Sequence, residues 1–280
     1  MKLDMQKNYI DSRFRTANSK SESDFNVELP RSFNVPDGVV AHIDDIVIPS
    51  SWTTVDERNN MCYVSFGGVG VGVREKNFTI PAGNHDGYTF GTALVAGLNA
   101  AIAGYSVVPV FSYEYKLADN ELKISFVDPR EPSVKSVAPF ICNIFTDGSE
   151  HLLMSHAHGA PSNTINTIIG NTLERNITEA VPFVCYPDFF NTRNLYLTSS
   201  ALCSYDTVSN FGMDTIIKKI PVTQGYNKMI FQSSGSTLDG LDVSKRTLRF
   251  LDFKLVDSSF RTIPLRGNHF SFSIVFVQKR

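Results

Sequence analysis

Two runs near the C-terminus, Leu248–Asp257 and Phe270–Val277, alternate large apolar residues with polar ones. In the first, Leu248, Phe250 and, after Leu251, Phe253 and Leu255 are the large apolar members. In the second, Phe270, Phe272, Ile274 and Phe276 line one face and Ser271 and Ser273 the other. A helix repeats its buried face every three to four residues, whereas a half-buried strand repeats it every two. These runs are therefore strands, and the turn-like bridge between them predicts that the chain closes in an antiparallel pair.

Composition agrees with a sheet protein. The chain has 280 residues, enough for one large β domain or two smaller ones. Charged residues make up 19% and the formal net charge is −2, which fits neither a basic nucleic-acid binder nor an acidic disordered chain. There are 21 Phe and 10 Tyr but one Trp, Trp52. No apolar run is long enough to span a bilayer, and the polar start Met-Lys-Leu-Asp-Met-Gln-Lys does not read as a signal peptide. The scattered cysteines Cys62, Cys142, Cys185 and Cys203 form no CxxC pair and read as reduced core residues.

Along the chain, residues 1–23 are polar, with mixed charge, and cannot bury a core of their own; they read as an arm, disordered or laid against a partner. Strand patterns follow at Asp24–Leu29, Val39–Ile48, Met61–Phe66 and Lys76–Ile80, with a Pro36-Asp37-Gly38 turn among them. The period then changes. Phe90, Leu94, Leu98 and Ile102 recur every four residues behind Thr89, which can cap a helix, and Gly104 ends it. Phe111–Leu117 and Glu121–Phe126 form a hairpin across Ala118-Asp119-Asn120. Residues 128–160 read as irregular, Ser162 caps a short turn through Ile165, Ile168 and Ile169, and strands resume after Pro187. The layout predicts an all-β, antiparallel jelly-roll sandwich interrupted by a small α+β insertion. The expected domains are an arm at 1–23, a jelly roll at 24–80 and 190–280, and an insertion at 81–189 with one main helix about 89–103.

Few residues suggest chemistry. Gly67–Gly72 is glycine-rich, but a phosphate-cradling loop opens directly into a helix, and here strand pattern continues. His156 and His158 are the candidate metal ligands, with Glu150 or His151 as a third, because HxH on a strand places both rings on one face. Their loop setting, without HExxH or CxxC, favours solvated histidines. Asp44 and Asp45 are adjacent in a strand and point to opposite faces, so they are no paired-carboxylate site. No Gly-x-Ser-x-Gly and no activated nucleophile is present.

Several segments together resemble one family: Asp11-Ser-Arg-Phe-Arg15 before Asp24–Leu29; Asp44-Asp45-Ile-Val-Ile-Pro-Ser-Ser-Trp52; Ala82-Gly83-Asn84 with the helix and the Tyr113 hairpin; and Leu195–Ser199, Asp214–Val222 and Phe270–Phe276. In that order they resemble the penton, or minor capsid, protein of Polinton/Maverick elements, adintoviruses and virophage-like double-stranded DNA viruses. The Gly-rich segment and the histidine loop depart from the pattern. The resemblance implies a structural protein without catalysis or cofactor. It implies a homopentamer at icosahedral vertices in the virion, contact with the major capsid protein, and a host receptor engaged by the insertion domain. A five-fold ring needs complementary patches on two sides of one molecule. Arg13, Phe14 and Arg15 are the expected partner anchors, two guanidinium groups beside an apolar plug, on an arm that orders only against neighbours. The alternative is a receptor- or carbohydrate-binding sandwich of the spike or fibre type, since the fold alone does not fix function. A glycosidase on the same sandwich needs two carboxylates facing one cleft, and the carboxylates here fall mostly at turns and strand ends.

Overall fold

The computed structural model describes residues 5–67, 74–104, 108–137, 140–144, 165–169, 175–190, 192–204, 215–233 and 240–278. In chain order the elements are β1 (Met5–Asp11), β2 (Asp24–Asn34), β3 (Val39–Pro49), β4 (Met61–Gly67), β5 (Arg74–Thr79), α1 (Gly87–Ile102), β6 (Val110–Lys116), β7 (Glu121–Val127), α2 (Pro132–Val137), β8 (Ile141–Ile144), α3 (Asn166–Ile169), β9 (Arg175–Ile177), β10 (Phe183–Cys185), β11 (Asn194–Thr198), β12 (Ile216–Pro221), β13 (Met229–Ser233), β14 (Leu241–Asp242), β15 (Thr247–Val256) and β16 (Ser271–Gln278). They fall into two compact units, Met1–Trp52 with Thr192–Arg280, and Thr53–Asn191.

The first unit is an all-β, jelly-roll-like sandwich. One sheet runs β1-β16-β3-β13, with β14 also on β3, and the other runs β12-β11-β15-β2. Every described pairing in them is antiparallel. The chain changes sheet from β1 to β2, from β2 to β3, and again from β15 to β16. The inward residues of each strand interdigitate: Phe25 meets Phe270 at 5.5 Å, Phe33 meets Phe276 at 5.1 Å and Phe253 meets Phe272 at 4.8 Å, all edge to face. Burying one such ring contributes about 1.5–3 kcal/mol.

The two C-terminal strands are not a pair. β15 lies between β11 and β2, while β16 lies between β1 and β3 in the opposite sheet. Their alternation reports that each has one core face, and two such faces can meet across a core as well as lie side by side. Phe250 is a second correction: it is 60% exposed. The β15–β2 register shifts between Leu248 and Phe250, where Leu29–Ser32 of β2 stand against the single Arg249 of β15; across this irregularity Leu248 and Leu251 both face the core and Phe250 turns outward.

The arm is also ordered within the chain. β1 pairs along its whole length with β16, Met5 opposite Val277 through Asp11 opposite Ser271. Beyond it Ser12 is fully buried; its amide donates to the Phe270 carbonyl and the Phe270 amide donates to its hydroxyl. Ser23 donates to the Ile263 carbonyl at 2.6 Å, and Glu22 accepts from the Gly267 amide. A polar segment needs no core of its own when it completes a ladder beside a strand that already has one. The expectation that residues 1–23 order only against neighbouring subunits is overturned for 5–23.

The second unit packs α1 against sheet β10-β7-β6 and contains a further sheet, β5-β4-β8-β9. Its core gathers Phe90, Leu94, Leu98 and Ile102 of α1 with Phe66, Phe111, Phe126 and Phe140. The helix starts two residues before the expected Thr89: Asp86 is the N-cap, and Thr89 is its reciprocal partner in a capping box. β4 and β5 belong to this unit rather than to the jelly roll, so the first boundary falls between Trp52 and Thr53 instead of 80 and 81; the second falls between Asn191 and Thr192, against an expected 189 and 190. The reason is core membership: Cys62, Val64 and Phe66 share a core with α1. Asn99 of α1 closes the outer edge of β6, donating to the Phe111 carbonyl and accepting from its amide.

An Asp-x-Arg staple recurs. In Asp11/Arg13, Asp56/Arg58 and Asp128/Arg130 the carboxylate accepts the arginine's own amide and its guanidinium. The Asp128 pair is the buried one, with side chains 2% and 10% exposed.

Candidate interaction surface

On the outward face of sheet β1-β16-β3-β13 several large side chains stand in solvent. Alternation that sends Phe272, Ile274 and Phe276 inward sends Ser271 and Ser273 outward on the central strand β16. Register sets their neighbours: Asp11, Ser271, Val47 and Phe231 form one row, and Tyr9 and Ser273 begin the next. Tyr9 and Phe14 are each 78% exposed, and Phe231 is 64%. Small residues between large ones leave a trough of about 320 Å³, lined by Tyr9, Phe14, Asp11, Asp45, Val47 and Ser271 among others.

Asp44 and Asp45 sit at a bulge on the rim of this trough. Phe272 pairs with Ile46 and Ile274 with Ile43, so both aspartates oppose the single residue Ser273. Asp44 takes an ion pair from Lys7 at 2.7 Å, and Asp45 accepts from the buried Ser273 hydroxyl. The bond to Asp44 raises the Lys7 ammonium above its ordinary range, and that ammonium also lies 5.2 Å over the Tyr9 ring. The two carboxylates are thus engaged in separate contacts.

Of the expected anchors, Arg13 is turned back on its own chain. Its guanidinium forks onto Asp11, with Nη2 at 2.5 Å, and this hydrogen bond holds the Asp11 carboxyl below the usual carboxylate range. Arg15 donates to the Ser12 carbonyl at 3.2 Å. Phe14 projects freely at the end of the trough. Sequence reasoning missed Tyr9 and Phe231, whose signal was present: each stands on the outward side of a strand where a polar residue is the norm. The candidate histidines His156 and His158, with Glu150 and His151, lie outside the described residues, as do 68–73 of the Gly-rich segment.

The opposite sheet carries its own projection. Phe250 stands out from β15 with the Arg249 guanidinium 5.9 Å from its ring centre, and Arg249 also bonds Glu28. Among the described residues no group of three or more His, Cys, Asp or Glu could hold a metal. Cys62 and Cys142 are fully buried, and burial pushes both thiols well above the ordinary range, which makes them unreactive core residues. Among the described residues no helix is long and apolar enough to cross a membrane.

No protein-family model and no curated protein matches the sequence. Among solved structures, the crystal structure of selenomethionine-labelled mavirus penton protein matches 99% of this chain and 99% of its own, at a TM-score of 0.53 and 12% identity. The fold is penton-like. The match runs through both units, so the penton-like architecture includes the second unit as well as the sandwich. At 12% identity it speaks of the fold alone.

Proposed function

We propose that the chain is a structural capsid subunit, a penton-type minor capsid protein that assembles as a homopentamer at the vertices of an icosahedral virion. The observation that carries this reading is the end-to-end fold match to the mavirus penton protein. The reading makes the protein non-enzymatic. It assigns the sandwich to ring and shell contacts, with Phe14, Arg13 and Arg15 at the partner-facing end of β1, and it assigns the second unit to a host receptor. The major capsid protein of the same virus is the expected second partner. Native mass spectrometry of the purified chain tests the ring: a five-copy species supports the penton reading, and a three-copy species supports a fibre-type protein instead.

A further inference from the structure

We infer that the trough on sheet β1-β16-β3-β13 receives Phe250 of a second copy of this chain. The inference rests on the ring proposed above and names the contact that builds it. A closed ring of identical subunits is heterologous, so each molecule must offer one surface and accept a different one. The sandwich carries such a pair on its two outer faces. On one, Ser271 floors a trough of about 320 Å³ lined by Tyr9, Asp11 and Phe14 on one side and by Asp45 and Val47 on the other. On the other, Phe250 stands outward at 60% exposure beside the register shift between β15 and β2.

The chemistry of the two matches. The trough has apolar aromatic walls for a ring and the carboxylates of Asp11 and Asp45 in its lining. The projection is a ring with a guanidinium, that of Arg249, beside it. Aromatic residues and arginine are both enriched at interfaces, and the residues that carry most of the binding energy sit in pockets that remove them from water. A neighbour's Phe250 seated between Tyr9 and Phe14 brings Arg249 toward Asp45, the lining carboxylate that Arg13 does not hold, where opposite charge fixes the register. Because donor and acceptor lie on opposite sheets, each copy keeps one face free for the next neighbour.

Two substitutions separate the faces. Ser271→Trp fills the trough from an outward position, and Phe250→Glu removes the projection; Phe250→Ala serves as a milder second variant. Native mass spectrometry and light scattering of the full chain read assembly, with circular dichroism reporting the fold. Each variant alone is expected to lose the ring, with association weakened roughly 30-fold or more, as for loss of a central aromatic anchor. An equimolar mixture of Ser271→Trp and Phe250→Glu is expected to form heterodimers and nothing larger, because only one good face remains on each. A wild-type ring that survives both substitutions, or a mixture that stays monomeric, overturns the seating while leaving the ring reading standing. Self-association of Phe250→Glu into dimers overturns it in favour of trough-to-trough contact. A wild-type chain that forms no ring overturns both.

Discussion

Phe253 of β15 and Phe272 of β16 meet edge to face across the sandwich core, their ring centroids 4.8 Å apart and both rings almost wholly buried. This contact joins the two sheets at the strands that alternate most clearly in the sequence. Phe272→Ala is expected to cost about 3–5 kcal/mol, the range for deleting a buried aromatic. Phe231→Ala, on the same sheet but facing outward, is expected to stay within about 0.5 kcal/mol. Denaturant unfolding of the two variants side by side measures the contrast; similar losses would mean that Phe231 is buried in the isolated chain.

Removing residues 1–11 strips β1 from β16 and leaves a row of unpaired backbone groups on an aromatic-rich strand. Such an edge invites pairing with other chains. The truncated protein is expected to exchange its Ser271–Gln278 amides faster and to aggregate with rising concentration. Hydrogen exchange checks this directly, and unchanged protection there would show that β1 does not hold β16 in solution.

Asp128 and Arg130 form a buried staple in the second unit. The side-chain hydrogen bond from Arg130 lowers the Asp128 carboxyl from its ordinary value. A depressed folded-state value means that the pair's stabilisation is complete above the ordinary aspartate range, near ~3.9, and is lost as pH falls through the lowered value. Asp128→Asn is expected to cost about 1.5–3 kcal/mol at neutral pH, the range for losing a hydrogen bond to a charged group, with Glu179 left as the acidic neighbour of Arg130. It should also flatten the acid limb of stability. Urea midpoints of wild type and variant between pH 7 and pH 2 test both, and parallel acid limbs would remove Asp128 from the account.

Gly91 lies inside α1, where alanine ordinarily stabilises a helix by about 1 kcal/mol. Here an added Cβ would come within 2.5 Å of the Tyr113 ring and 3.0 Å of Leu122. Gly91→Ala is therefore expected to destabilise the second unit. Gly104→Ala, just past the end of α1, where no described atom lies within 4 Å of the added Cβ, is the control. Asp86→Ala, which removes the cap, is expected to cost about 1 kcal/mol. Thermal unfolding ranks the three; a stabilised Gly91→Ala would mean that the helix sits further from β6.

The face each strand turns inward was legible without the fold. Phe25, Val27, Ile46, Ile48, Phe272 and Phe276 are core residues as their alternation requires, and the four-residue repeat of Phe90 to Ile102 lies on the buried side of one helix. Local periodicity states this because side-chain direction depends only on the backbone of the same segment. The hairpin between β6 and β7 was legible for a similar reason, since its turn is short and Asn120 takes the left-handed conformation there.

Partners were not legible in the same way. Ladder hydrogen bonds join backbone groups that every residue carries, so no pattern within β15 or β16 states that they belong to opposite sheets. The same holds for β1, whose polar composition gave no sign of a ladder with β16. The register shifts at Phe250 and at Asp44–Asp45 arise only where two strands of unequal register meet. The trough is likewise a product of pairing: Ser271 is an unremarkable outward residue until its ladders set Asp11 on one side and Val47 on the other. Sequence by itself determined which side of each strand is apolar; tertiary pairing, through contacts distant along the chain, decided which strands share a sheet and therefore what surface the protein presents.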